Sequence, residues 1–180
     1  MRKIVLTYGL IAGAILSAMM LLTLPFQDRI GFDRSALVGY TTMVLAFLMV
    51  FFGVRAYRDH GAGGSLSFGR AFKVGILIVA VASVCYVATW EVIYYKLAPD
   101  FSEKYAAHTM EKARRSGATE AELARRAERM REYQVMYRNP LVNIGLTFLE
   151  PLPVGLVFAL VTAGVLSRKR RLGTAATSAA

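Results

Sequence analysis

Two carboxyl groups sit where carboxyl groups are expensive. Glu91 and Glu150 each interrupt an otherwise apolar stretch, and an acid at the centre of a bilayer-crossing helix costs about 2.5–3.5 kcal/mol on insertion scales. Acids kept at that cost are candidates for proton or cation handling, or for a polar binding pocket. On a helix, Asn143, Thr147 and Glu150 fall at i, i+4 and i+7 and share one face, so Glu150 belongs to a polar stripe. Pro151 and Pro153 follow at once. They have no N–H to offer the carbonyls of Thr147 and Leu149, which marks a candidate kink and frees two backbone acceptors beside the carboxyl group. Backbone broken in this way is tolerated at membrane depth only against protein or water. The expectation is therefore that both acids face the interior of a helix bundle at similar depth. The functional reading is a relay or an outward-facing pocket. The structural reading is a protonated or hydrogen-bonded acid that locks helix contacts, with Tyr94 or Lys96 as partner. The second is preferred, because two acids among four helices make no continuous path across a membrane.

The elements that must position these groups come in apolar blocks. The 180 residues are 56% hydrophobic, and a bilayer crossing takes about 20 residues. No charged side chain lies between Lys3 and Asp28, nor between Arg34 and Arg55. Four spans follow, at about residues 4–26, 35–54, 71–97 and 141–166. The first begins after Arg2-Lys3 like a secretory leader, but its apolar run is too long and a small-residue cleavage site is missing, so it reads as a retained span. Gly9, Gly13 and Ser17 place a stripe of small residues along it, for packing within the bundle or, less favoured, for a homodimer seam. A short turn with Pro25 and Gly31 leads to the second span, which exits through Phe51, Phe52, Arg55, Tyr57 and Arg58.

His60 to Arg70 is rich in Gly and Ser. Without a preceding strand or a closing Gly-Lys-Ser/Thr it reads as a linker with Ser67 capping the third span, not as a phosphate loop. The far end of that span carries Trp90, Tyr94 and Tyr95, residues suited to the membrane interface. Beyond Pro99, Asp100 with Glu103 and Thr119 with Glu122 are capping-box signatures for two polar helices separated near Ser116-Gly117. They make a helical insertion over residues 100–138. Its run ARRAERMR is interleaved with acids, which favours a solvated or lipid-facing surface over a nucleic-acid helix. Asn139-Pro140 opens the last span, and residues 172–180 read as a disordered tail.

Twenty-two Lys and Arg against twelve Asp and Glu give a formal charge of +10, which reflects topology more than a polyanionic partner. The positive residues divide almost evenly between the two sides. Those that abut span ends cluster at the N-terminus, the Gly-rich turn and the C-terminus, so both termini are expected in the cytoplasm and the insertion outside. Arg70, Lys73, Arg168, Lys169, Arg170 and Arg171 are candidate contacts for lipid headgroups. The lone Cys85 offers no disulfide. His-Glu-x-x-His and Gly-x-Ser-x-Gly patterns are absent, and His60 and His108 fall on opposite sides of the expected membrane. No catalytic, metal or cofactor-binding residue is assigned, and an enzyme is not expected.

Taken together, the pieces Ser67-Phe68-Gly69-Arg70-Ala71-Phe72-Lys73-x-Gly75, Tyr86 to Tyr95 with Trp90 and Glu91, Pro99-Asp100-Phe101, and Tyr137-x-Asn139-Pro140 leading to TFLEPLPVG resemble a bacterial family of four-span membrane proteins known as domain of unknown function 4199. The resemblance implies the same four-helix plan with an insertion before the last span, and no activity. The sequence thus leads to an all-α, four-helix transmembrane bundle in residues 1–171, with an extramembrane helical hairpin between spans three and four. It is expected in a bacterial cytoplasmic membrane as an accessory or scaffold module. Its partners would be membrane lipid, a membrane protein through the hairpin, or a second copy of itself. The rival expectation is a small oligomeric transporter working through Glu91 and Glu150.

Overall fold

The structure is a computed structural model that describes residues 1–167; Arg168, Lys169, Arg170, Arg171 and the tail 172–180 lie outside the described residues. Helix α1 (Arg2–Thr23) runs through a 3-10 turn (Leu24–Phe26) into the single-turn α2 (Gln27–Ile30). Gly31, at φ 80°, reverses the chain. There follow α3 (Phe32–Gly61), α4 (Phe68–Val92) with a π-helical turn (Ile93–Leu97), α5 (Phe101–Arg115), α6 (Glu120–Tyr137), α7 (Pro140–Leu149) and α8 (Leu152–Leu166). Four stretches, Arg2–Phe26, Phe32–Gly61, Phe68–Leu97 and Pro140–Leu166, are long and apolar enough to cross a membrane. They are compatible with a multi-pass membrane protein, and the outward side chains agree: Leu22, Leu37, Val157 and Val161 are 58–68% exposed, a belt of apolar surface that hydrocarbon accommodates and water does not. The second span is longer than its charge-free run. Helix α3 continues for two turns beyond Val54, because Arg55, Tyr57 and Arg58 are compatible with helix and can lie at its water-facing end.

The core occupies the half of the bundle nearest the termini. Phe47, Val50, Ile78, Val79 and Ala163 are fully buried there, and close backbone approach sets the packing. A Cβ on Gly9 would lie 2.6 Å from Val81 Cβ, and one on Gly13 would lie 2.6 Å from Cys85 Cβ. The third member of that stripe, Ser17, accepts a 2.7 Å hydrogen bond from Thr89. The stripe is therefore spent on α4 within the chain. On the other face of α4, a Cβ on Gly155 would collide with Val79, and Gly75 meets Ala159. Glycines on α1 and α8, and one on α4 itself, thus clamp α4 from two sides, as small residues do between membrane helices.

The hairpin α5–α6 crosses over the opposite end. Thr119 caps α6 through a complete capping box, its backbone N–H donating to Glu122 at 2.9 Å. Glu122 is accordingly held below the ordinary carboxylate range by that bond. The other expected box does not form. Asp100 has φ −87° and ψ 3°, not the extended backbone a side-chain cap needs, and its carboxylate pairs with Lys104 at 3.0 Å. Ser67 occupies the N-cap of α4 without a side-chain cap bond; it is exposed, so water can serve the first N–H groups. The hairpin is anchored on α3 by Phe32, whose ring meets those of Phe101, Tyr105 and His108, and by Asp33, which accepts two bonds of 2.8 and 2.9 Å from Lys112.

Candidate functional site

The last span is broken at Glu150. Helix α7 ends at Leu149 and α8 starts at Leu152, with Glu150 and Pro151 in the turn between. Pro151 offers no N–H to Thr147, whose carbonyl instead accepts a long 3.4 Å bond from the Glu150 N–H. Asn139 starts α7 by accepting from the Leu141 N–H at 3.0 Å. Below the break α8 packs on α3 and α4; above it α7 packs on α4 and α6, and α3 and α7 do not run along each other.

That divergence leaves a cleft of about 900 Å³ between α1, α3, α4 and α7, roofed by the hairpin. Its walls are mainly apolar and aromatic, with Met20 and Met43 from the first two spans and Tyr40, Tyr86, Trp90 and Tyr133 among the rings. Glu150 lies on its floor. It stands ten residues past Pro140, about 15 Å inward at the helical rise of 1.5 Å, which is near the middle of a hydrocarbon layer about 30 Å thick. Its Oε2 accepts a 2.8 Å hydrogen bond from the Tyr86 hydroxyl. Among the described residues no Lys or Arg pairs with it.

Beside the acid a closed set of side-chain bonds joins α4, α6 and α7. The Trp90 indole N–H is shared between Tyr137 Oη at 3.1 Å and Asn143 Oδ1 at 3.2 Å, and the Thr147 hydroxyl donates to Asn143 Oδ1 at 3.1 Å. Tyr137 and Thr147 hydroxyls meet at 3.1 Å; since Thr147 donates to Asn143, Tyr137 supplies the proton of that contact. Asn143 and Thr147 are buried, and the Asn143 Nδ2 has no hydrogen-bond partner among the described residues. Partial desolvation pushes the half-exposed Tyr133 phenol up to about 12. Tyr137 is raised by the same cause, partly offset by its bonds to Thr147 and Trp90.

Glu91 is not part of this cleft. It lies five residues past Tyr86, a turn of about 140° around the helix at 3.6 residues per turn, so it points away when Tyr86 faces Glu150. Its Oε1 is buried without a hydrogen-bond partner, and no hydrogen bond or ion pair joins the two acids among the described residues. Equal depth in the membrane does not fix direction, and the expected shared site of Glu91 and Glu150 does not form. Nor do Tyr94 or Lys96 serve Glu150: the Tyr94 hydroxyl goes to Ser102 at 2.9 Å. Arg70 and Lys73 are exposed at the start of α4, at the end away from the cleft. Among the described residues no three His, Cys, Asp or Glu side chains gather to hold a metal ion.

Tyr86 is the residue that reading the sequence passed over as a site. Its signal was present: it stands four residues before Trp90, on the same helical face, a phenol inside an apolar run.

The family model of the protein of unknown function DUF4199 matches residues 7–168, from the first span to the end of the last. The chain belongs to this family. The match covers the cleft, the hairpin and the broken span together. No curated protein and no solved structure matches the chain.

Proposed function

We propose that the protein is a non-catalytic accessory module of a bacterial cytoplasmic membrane that draws a lipid-like amphiphile sideways from the bilayer into the cleft beneath its hairpin. The observation that carries this reading is the cleft itself, of the size that holds a lipid-sized ligand, flanked by α3 and α7 where no helix pair closes the bundle. Tyr40 and Leu146 line it and are exposed, 51% and 37%, so an apolar molecule in the bilayer meets an apolar threshold. The Lys and Arg that flank the span ends support a reading with both termini and the Gly-rich turn in the cytoplasm and the hairpin outside. Transport through Glu91 and Glu150 together is not favoured, since the two do not share a site.

Gly39 provides the test. It lines the cleft, and a Cβ there would meet nothing within 4 Å, so Gly39→Trp adds bulk at the cleft wall with no clash at its Cβ. Lipid that co-purifies with the wild-type chain, measured by mass spectrometry after detergent exchange, is expected to be lost from Gly39→Trp. Equal lipid in both proteins would overturn the reading.

A further inference from the structure

We infer that the floor of the cleft is a binding site for a lipophilic organic cation, its charge set against the Glu150 carboxylate and its body against Tyr86, Trp90 and Tyr40. This deepens the amphiphile reading and rests on it. Glu150 is the acid of the cleft floor, and Tyr86 takes up one of its oxygens, leaving the other for an occupant. No basic side chain of the described residues reaches it. An acyl tail alone is a poor occupant of that floor, because it would strip water from a carboxyl group and phenols without replacing their hydrogen bonds. A hydrated inorganic cation is equally poor, because the walls are mainly apolar and offer few oxygens to replace its water. A cation spread over carbon satisfies both: the carboxylate supplies the charge, and the ring faces supply cation–π attraction in a dry setting.

The arrangement of positive charge fits the same occupant. Arg126 and Arg129 line the same cleft from its roof on α6, the water side. They disfavour approach of cations from water through the roof and leave the side between α3 and α7, where a cation soluble in hydrocarbon already resides. Tyr133 and Tyr137 of α6 line the cleft as well, so rings of the hairpin border the site from above. Glu150 acts here as a binding residue, with Tyr86 positioning it.

Tetraphenylphosphonium and tetraphenylborate have the same shape and opposite charge, which separates this proposal from simple apolar uptake. Equilibrium dialysis of each against the full chain in neutral detergent, corrected for partition into protein-free micelles, is expected to show the cation bound at least tenfold more tightly. Glu150→Gln should remove that preference and leave binding of the borate as it was. Tyr86→Phe, which keeps the acid but removes the bond that positions it, should weaken the hold on the cation less than Glu150→Gln does. Gly39→Trp should weaken both probes. Equal binding of the two probes by the wild-type chain, or a stronger hold on the borate, overturns the inference without any variant being needed. So does Glu150→Gln that binds the phosphonium like wild type. If lipid is lost from Gly39→Trp while the probes show no charge preference, the cation site alone fails; if Gly39→Trp keeps its lipid, the cleft reading fails as well.

Discussion

The two ends of this bundle are held together by different means. Toward the termini, α4 is gripped between α1 and α8 at glycines so close to their neighbours that Gly9, Gly13 and Gly155 have no room for a methyl group. Toward the hairpin, the same α4 meets α6 and α7 through hydroxyls, an indole and an amide, and leaves a cavity of about 900 Å³. Close van der Waals packing tolerates no added volume. Hydrogen bonds between rings and hydroxyls around a cavity tolerate volume but depend on each donor having its acceptor. One end is therefore close-packed and the other leaves open space.

The largest effect should come from putting side chain where the closed end has no space. Gly155→Leu drives into Val79 and is expected to cost at least about 1–3 kcal/mol, read as a fall of several degrees in thermal unfolding followed by circular dichroism in detergent. Gly39→Leu, the same change at the open end, should unfold with the wild type. Equal melting of these two variants would erase the distinction between the ends.

A smaller and local effect is expected in the hairpin. Thr119→Ala removes the cap of α6, and amide exchange in its first turn should rise about fivefold, the worth of a lost N-cap, while amides of α4 near Val79 exchange as before. Acid should act similarly. The Glu122 carboxyl titrates below its ordinary value of 4.5, so its stabilisation is present above that pH and is lost as pH falls through the lower folded value. Faster exchange in α6 as pH drops below 4.5, after correction for intrinsic rates, checks the sign.

The smallest is an alkaline loosening. A phenol raised from 10.0 to about 12 favours the docked hairpin below pH 10, and that preference disappears as pH rises from 10 toward 12. Phenolate absorbance should show Tyr133 among the phenols that titrate late, and Tyr133→Phe should shrink that late phase by one phenol.

The spans were legible because charge is excluded from hydrocarbon, so the gaps from Lys3 to Asp28 and from Arg34 to Arg55 state their own meaning. The hairpin was legible from Thr119 and Glu122, whose spacing is a local rule. Asp100 and Glu103 satisfied the same rule and failed, because the turn after Pro99 sets the backbone before the cap can form. The prolines announced the break at Glu150. What could not be read was direction. Tyr86 and Glu150 are 64 residues apart, and nothing local says that they meet. Glu91 looked equivalent to Glu150 by depth and type, and differs from it only by the way α4 is rotated. A cavity is harder still, being an absence of packing that arises from where α7 leaves α3.

The chain has a single tryptophan, and it stands at the meeting of hairpin, broken span and cleft, with its indole N–H shared between two of them. The molecule thus carries its own optical gauge at the place where an occupant would make itself felt. Its emission colour should follow wetting or drying of the chamber, and no label needs to be attached to see it.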